Sequence, residues 1–174
     1  MAIRSVAICA LYATPVLITF QDCCLTCSVV CGASMQPTLN PEKSARSFRD
    51  VVVLNMLRKW RRPVPQRGDI VAYISPRNPR RMIVKRVIGL PGDVIETLDY
   101  KEKRVTIPDG HCWVEGDNHG HSEDSNHYGP VALGLIVGHA THVVFPPTRM
   151  RKLSTQIPDG RTPLVTRYEH TLLA

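Results

Sequence analysis

The stretch Arg81-Met-Ile-Val-Lys-Arg-Val-Ile-Gly-Leu90 decides how the rest of the chain is read. It is rich in β-branched residues and stops at a Pro-Gly pair, the pattern of a strand followed by a turn. Strand alternation places Ile83, Lys85 and Val87 on one face and Val84, Arg86 and Ile88 on the other. One of two adjacent cations is therefore expected to face the core. Burial disfavours an ammonium and lowers a lysine's pKa, whereas arginine stays charged, so Lys85 is the usable base of the pair. The competing reading is an edge strand whose two cations both reach out to water.

Similar runs flank it. Asp50–Asn55, Asp69–Ser75 and Val131–Phe145 carry the same β-branched bias between Gly, Pro and Asp boundaries, and prolines 63, 65, 76, 79 and 91 interrupt the chain between them. Nothing after residue 22 shows a long, capped amphipathic period. The expected architecture is mainly β, a compact domain over residues 23–147. The whole chain, with 174 residues, 14 prolines and 6% aromatic content, leaves room for one modest core.

Upstream, Ser5–Phe20 is uncharged and apolar, and the stretch ends at Gln21-Asp22. Residues 1–22 are read as an uncleaved single membrane anchor; a removable secretory signal is the rival account. After Pro146-Pro147 the chain turns polar and basic, so residues 148–174 are expected to form a loosely ordered tail. The net charge of +7 sits in scattered clusters with no nucleic-acid-binding module, which favours anionic lipid headgroups over nucleic acid as the partner.

Between anchor and first strand lies Cys31-Gly-Ala-Ser-Met-Gln-Pro-Thr-Leu-Asn-Pro41. A serine hydroxyl is a poor nucleophile until a base removes its proton. Ser34, however, has Gly32 and Ala33 before it, leaving room for a substrate backbone, and Pro37 and Asn40-Pro41 stiffen the chain after it. A third segment, Trp113–Val131, packs Asp117, Asn118, Ser122, Asp124 and Ser125 among glycines, a composition that builds rigid Asx turns. His119, His121 and His127 invite a metal reading, but no His-Glu-x-x-His pattern accompanies them, and they are read as loop residues. Cys24-x-x-Cys27 has metal-like spacing without a matching second pair; inert small residues are preferred to zinc or disulfides. No metal or other cofactor is expected.

In order along the chain, Gly32–Leu39, Arg67–Val71, Val84–Asp93 and Gly116-Asp-Asn with Ser122-Glu-Asp-Ser resemble the sequence boxes of the type I signal peptidases, and more closely the mitochondrial inner-membrane branch of that family. The similarity covers about residues 32–144. It implies a signal-peptidase-like catalytic β domain carried on one N-terminal transmembrane helix. It further implies Ser34 as nucleophile, with its backbone N–H in the oxyanion hole, and Lys85 as base. Ser122, Asp117, Asp124 and Gly116 would be supporting residues, Ser122 by hydrogen-bonding Lys85. Two positions depart from many bacterial members: Gly32 stands where a serine completes the oxyanion hole, and Asn126 where an arginine pairs with the aspartate at 124. The resemblance implies an inner-membrane protease facing the intermembrane space and paired in a heterodimer with the related catalytic subunit 1. It would cut sorting presequences from imported precursors. A noncatalytic subunit that stabilises its partner is the alternative.

Overall fold

The computed structural model describes residues 12, 14, 25–41, 49–58 and 64–166. The anchor expected over residues 1–22 lies almost wholly outside them, and among the described residues no helix is long and apolar enough to cross a membrane.

The strands are β1 (Leu25–Val29), β2 (Val51–Asn55), β3 (Ile70–Ile74), β4 (Met82–Gly89), β5 (Val94–Glu96), β6 (Arg104–Thr106), β7 (His111–Glu115), β8 (Val131–Ala132), β9 (Ile136–Phe145) and β10 (Arg151–Lys152). Eight of them form one sheet in the order β1-β2-β9-β3-β4-β7-β8, with β10 paired to β9, and β5 and β6 form a separate hairpin. Every pairing is antiparallel, as short connections permit. The molecule is mainly β, as its sequence indicates. The expected continuous strand 131–145 is broken by a 3-10 turn at Leu133–Leu135, and β9 shifts register against both β2 and β3.

β4 lies inside the sheet between β3 and β7, so neither edge-strand exposure nor a single buried face describes it. Lys85 is 2% and Arg86 4% exposed. One face of the sheet packs Ile70, Ala72, Val52, Leu54 and Val143 over Met35 and Leu39 of the Ser34 loop. The other packs Val71, Tyr73, Val87, Cys112 and Val114. A third cluster joins the β5–β6 hairpin to the sheet through Ile88, Ile95, Ile107 and Trp113, with Tyr100 edge-on to the Trp113 ring.

The tail corrects the sequence reading. Up to residue 166 it is bound to the domain: β10 pairs with β9, Leu153 is buried in the first cluster, and Leu164 donates to the Val94 carbonyl at 2.9 Å. Arg86 draws it in, because its Nη1 donates to the carbonyls of Ser154 and Gln156 at 2.9 and 3.1 Å, satisfying a buried cation with chain from the tail. A tetrapeptide also recurs unnoticed in the sequence: Ile-Pro-Asp-Gly at 107–110 and again at 157–160. Both copies make the same turn, His111 and Arg161 donating to Pro108 and Pro158, and both isoleucines pack on the Trp113 cluster.

Since Leu153 is 5% exposed within a packed cluster, Leu153→Ala should cost about 2–4 kcal/mol of stability in chemical denaturation. A change within about 0.5 kcal/mol, as expected of a solvated tail residue, would contradict the docking described.

Candidate active site

The loop after β1 is held from several directions. Gln36 and Leu39 donate to the carbonyls of Ala33 and Met35, forming successive tight turns in which Met35 and Leu39 enter the core while Ser34 stays half-buried. Asn40, in the left-handed region at φ 51°, donates from Nδ2 to the Val30 and Gly32 carbonyls at 2.9 and 3.2 Å. Its backbone N–H and Oδ1 engage Asp50 at 2.7 and 2.8 Å, and Asp50 is in turn paired with Arg149 at 2.8 Å. Asparagine tolerates this backbone because its amide takes over hydrogen bonds that the chain cannot make to itself.

From the opposite side comes the segment after β7. Asn118 donates its N–H to the Ser34 carbonyl at 3.0 Å and its Nδ2 to the Ala33 carbonyl at 3.1 Å. Gly116 makes this approach possible. A Cβ there would stand 2.3 Å from Ser122 Oγ and 2.4 Å from the Ser34 carbonyl oxygen, distances no side chain tolerates.

Ser34 and Lys85 line one cavity of about 470 Å³, together with Val29, Ile83 and Val84 on its apolar side and Arg81, His121 and Glu123 on its polar side. Arg77 pairs with Glu123 at 2.8 Å and ties the β3–β4 turn to this rim. Among the described residues no carboxylate forms an ion pair with Lys85. Burial pushes its amine down to about 8, against the upward pull of Asp124, Asp117 and Glu123, while Arg81 adds to the lowering.

The supporting residues sit close by but bond differently from expectation. The Ser122 hydroxyl donates to the Asp124 carboxylate, and no hydrogen bond joins Ser122 to Lys85. Asp124 also accepts from the Gly116 N–H at 2.8 Å and from the Asn126 N–H and Nδ2 at 3.0 and 3.3 Å. Asp117 does not brace this loop directly; both its oxygens take Arg86, at 2.8 Å each. His121 and Glu123 line the Ser34 cavity, while His119, His127, Ser122 and Asp124 line a second cavity of about 250 Å³. Cys27, Cys31 and Cys112 are free thiols; Cys9, Cys23 and Cys24 lie outside the described residues.

Sequence reasoning missed Glu115 and Arg161. Glu115 is 1% exposed and receives Arg161 on both oxygens, Trp113 Nε1 at 2.8 Å and Asn126 Nδ2 at 3.0 Å. The repeated Ile-Pro-Asp-Gly turn was the signal that the tail carries structure.

A family model described as "Signal peptidase, peptidase S26" matches residues 3–105 and 96–145. The molecule is a serine peptidase. Mitochondrial inner membrane protease subunit 2 of Danio rerio is 50% identical over 155 residues, 88% of this chain and 82% of the relative. The Homo sapiens protein of that name is 51% identical over 90% of this chain and 88% of its own length. Subunit 1 of the Mus musculus protease is 41% identical over 68% of this chain and 69% of the relative. The chain belongs to the signal peptidase family, peptidase S26.

Gly116→Ala should therefore separate the Ser34 loop from the Ser122 segment and lower peptidase activity by about 100-fold, the cost of misplacing reacting groups by an ångström. Wild-type turnover in this variant would show that the close approach is dispensable.

Proposed function

We propose that this chain is a membrane-anchored endopeptidase of the mitochondrial inner membrane that removes sorting presequences from imported precursors, with Ser34 as nucleophile and Lys85 as its base. The observation that carries the reading is the shared cavity: a half-buried serine and an unpaired, desolvated lysine line the same space. The names of the relatives support a protease at the mitochondrial inner membrane; the precursor substrates follow from the resemblance of the sequence boxes. The subunit numbering in those names supports the related subunit 1 as a partner in one protease complex; the proposed assembly is a heterodimer whose catalytic domains face the intermembrane space. Residues 1–22 would hold the chain in the lipid and bring Ser34 to the depth of a membrane-held substrate.

The neutral Lys85 amine accepts the Ser34 proton as Oγ attacks the scissile carbonyl. The resulting oxyanion takes the Ser34 backbone N–H, and preorganised donors of this kind are among the largest contributions to such barriers. The lysine ammonium then protonates the leaving amine, the C–N bond breaks, and an acyl-enzyme remains on Ser34. Water, deprotonated by the regenerated amine, attacks that ester and releases the second product with the serine restored. Substrate enters extended along a strand edge, as peptides do when they complete an open sheet. Gly32 supplies no second oxyanion donor from its side chain, and its φ of +93° is a backbone setting that a serine would adopt only under strain.

In purified protein free of wild-type subunit, Ser34→Ala and Lys85→Met should each lose activity on the order of 10⁴-fold with the fold retained. Cleavage surviving in Ser34→Ala would end the dyad reading. For the pH dependence, Lys85 must be neutral to act and its amine titrates at about 8, so kcat/KM should rise with pH through that value. Stability shares the same group. The folded amine is depressed from 10.5 to about 8, so the native state binds fewer protons across that interval and stability rises with pH within it. Below pH 8 both states carry the proton and the native state bears the cost of a buried ammonium. Lys85→Met should consequently raise Tm at pH 7, by an amount that shrinks toward pH 10.

A further inference from the structure

Arg161 belongs to no motif of the sequence and lies 46 residues beyond the carboxylate it holds. The second Ile-Pro-Asp-Gly turn delivers it: Gly160 takes φ +75°, the Arg161 N–H closes onto the Pro158 carbonyl at 3.1 Å, and the side chain enters the domain until the residue is 9% exposed. There Nε donates to Glu115 Oε2 at 2.8 Å, Nη2 to Glu115 Oε1, and Nη1 to the Glu96 carbonyl at 2.9 Å.

From Glu115 the contacts run on toward the catalytic cavity. Glu115 Oε1 also accepts from Asn126 Nδ2 at 3.0 Å; Asn126 donates to Asp124 Oδ1; and the other oxygen of Asp124 takes the Ser122 hydroxyl and the Gly116 N–H. An oxygen that receives three donors, those of Trp113, Asn126 and Arg161, needs to be anionic, and an anion 1% exposed needs a countercharge. Among the described residues Arg161 supplies it. Without that guanidinium, the buried Glu115 carboxylate would lose a donor on each of its oxygens, and with them the contacts that hold it against the Asn126 amide. Asn126 would keep the Leu98 N–H on its Oδ1 at 2.9 Å but lose one of the two acceptors of its Nδ2, loosening the amide that donates to Asp124.

We propose that Arg161 is a positioning residue of the catalytic loop, acting through Glu115 and Asn126 to fix Asp124 and Ser122 beside Lys85. The proposal rests on the Ser34/Lys85 reading. The tail thereby supplies, from outside the sequence boxes, a cation for the loop in which position 126 carries none.

The test uses the full chain and steady-state cleavage of a presequence peptide. Arg161→Met should lower kcat about tenfold or more with KM within twofold, the pattern of misplaced groups rather than lost binding. The rising limb of the pH profile should also move below about 8, because Asp124 is the strongest of the groups that raise the Lys85 amine, ahead of Asp117 and Glu123, with Arg81 opposing them. Arg161→Lys should recover part of the kcat, and its effect should be non-additive with that of Asn126→Ala. Leu153→Ala serves as a comparably destabilised control, expected to lower Tm without moving kcat or the limb. Should Arg161→Met fail to fold, Arg161→Lys and the cycle with Asn126→Ala decide the matter alone. Additive effects in that cycle, or wild-type kcat and limb in a folded Arg161 variant, overturn the proposal. Activity retained in Ser34→Ala would instead overturn the dyad, so the two failures are read in different variants.

Discussion

Two consecutive cations buried on opposite faces of β4 impose the constraint that the rest of the domain answers. Each ion taken out of water costs several kcal/mol unless partners replace its hydration. Arg86 is fully answered, by both Asp117 oxygens and by carbonyls of Gly68, Ser154 and Gln156. Lys85 is left with carboxylates nearby and none in contact, and desolvation wins. The two residues are thus one device seen from two sides: the guanidinium, which cannot deprotonate, organises chain around itself, while the ammonium, which can, is held where its proton is lost more readily than in water. Exchanging the two types along the strand would leave a permanent charge in the cavity and a titratable one in the structural socket.

Much of this was legible in the residues. The β-branched runs located β2, β3, β4 and most of β9, and the order of the boxes located Ser34, Lys85 and the Asp117–Asp124 segment in one region. Period-2 alternation was misleading in one respect, because it presumes that a strand has a wet face. β4 has β3 and β7 beside it and packed layers above and below, so alternation sorts its side chains between two cores rather than between core and solvent. β1 and β7 were missed for another reason: the first reads as a cysteine cluster and the second is folded into a polar run whose loop chemistry dominates the window. Hydrogen-bond partners were the least legible. Ser122 on Asp124, and Asp117 on Arg86, follow from three-dimensional competition for the same few oxygens.

The tail was misjudged because polarity was taken for solvation. A basic, proline-containing segment reads as loose when its charges have no visible partners, yet here the partners are buried elsewhere in the chain. Glu115 takes Arg161, and the carbonyls of residues 154 and 156 satisfy Arg86, so each side satisfies a group that the other has buried. A small domain gains from this arrangement, since its core alone covers a limited fraction of its surface. The Ile157 and Leu153 side chains add apolar burial at the same seam.

Two positions around Ser34, Gly116 and Gly32, call for glycine, and for opposite reasons. Gly116 is required by crowding: backbone and hydroxyl atoms occupy the space a Cβ would take. Gly32 is surrounded by open space, with nothing within 4 Å of a Cβ, and is required only by its positive φ. The emptiness beside Gly32 means that a side-chain hydroxyl at this position would gain room but lose the backbone path that the Asn40 amide secures through the Gly32 carbonyl. A loop strapped in this way trades a side-chain donor for a fixed peptide backbone, and oxyanion stabilisation depends on donors that need not reorganise during reaction. The bonds of Asn40, Asp50 and Asn118 therefore fix the backbone around Ser34, whose N–H is the donor that the proposed mechanism calls on.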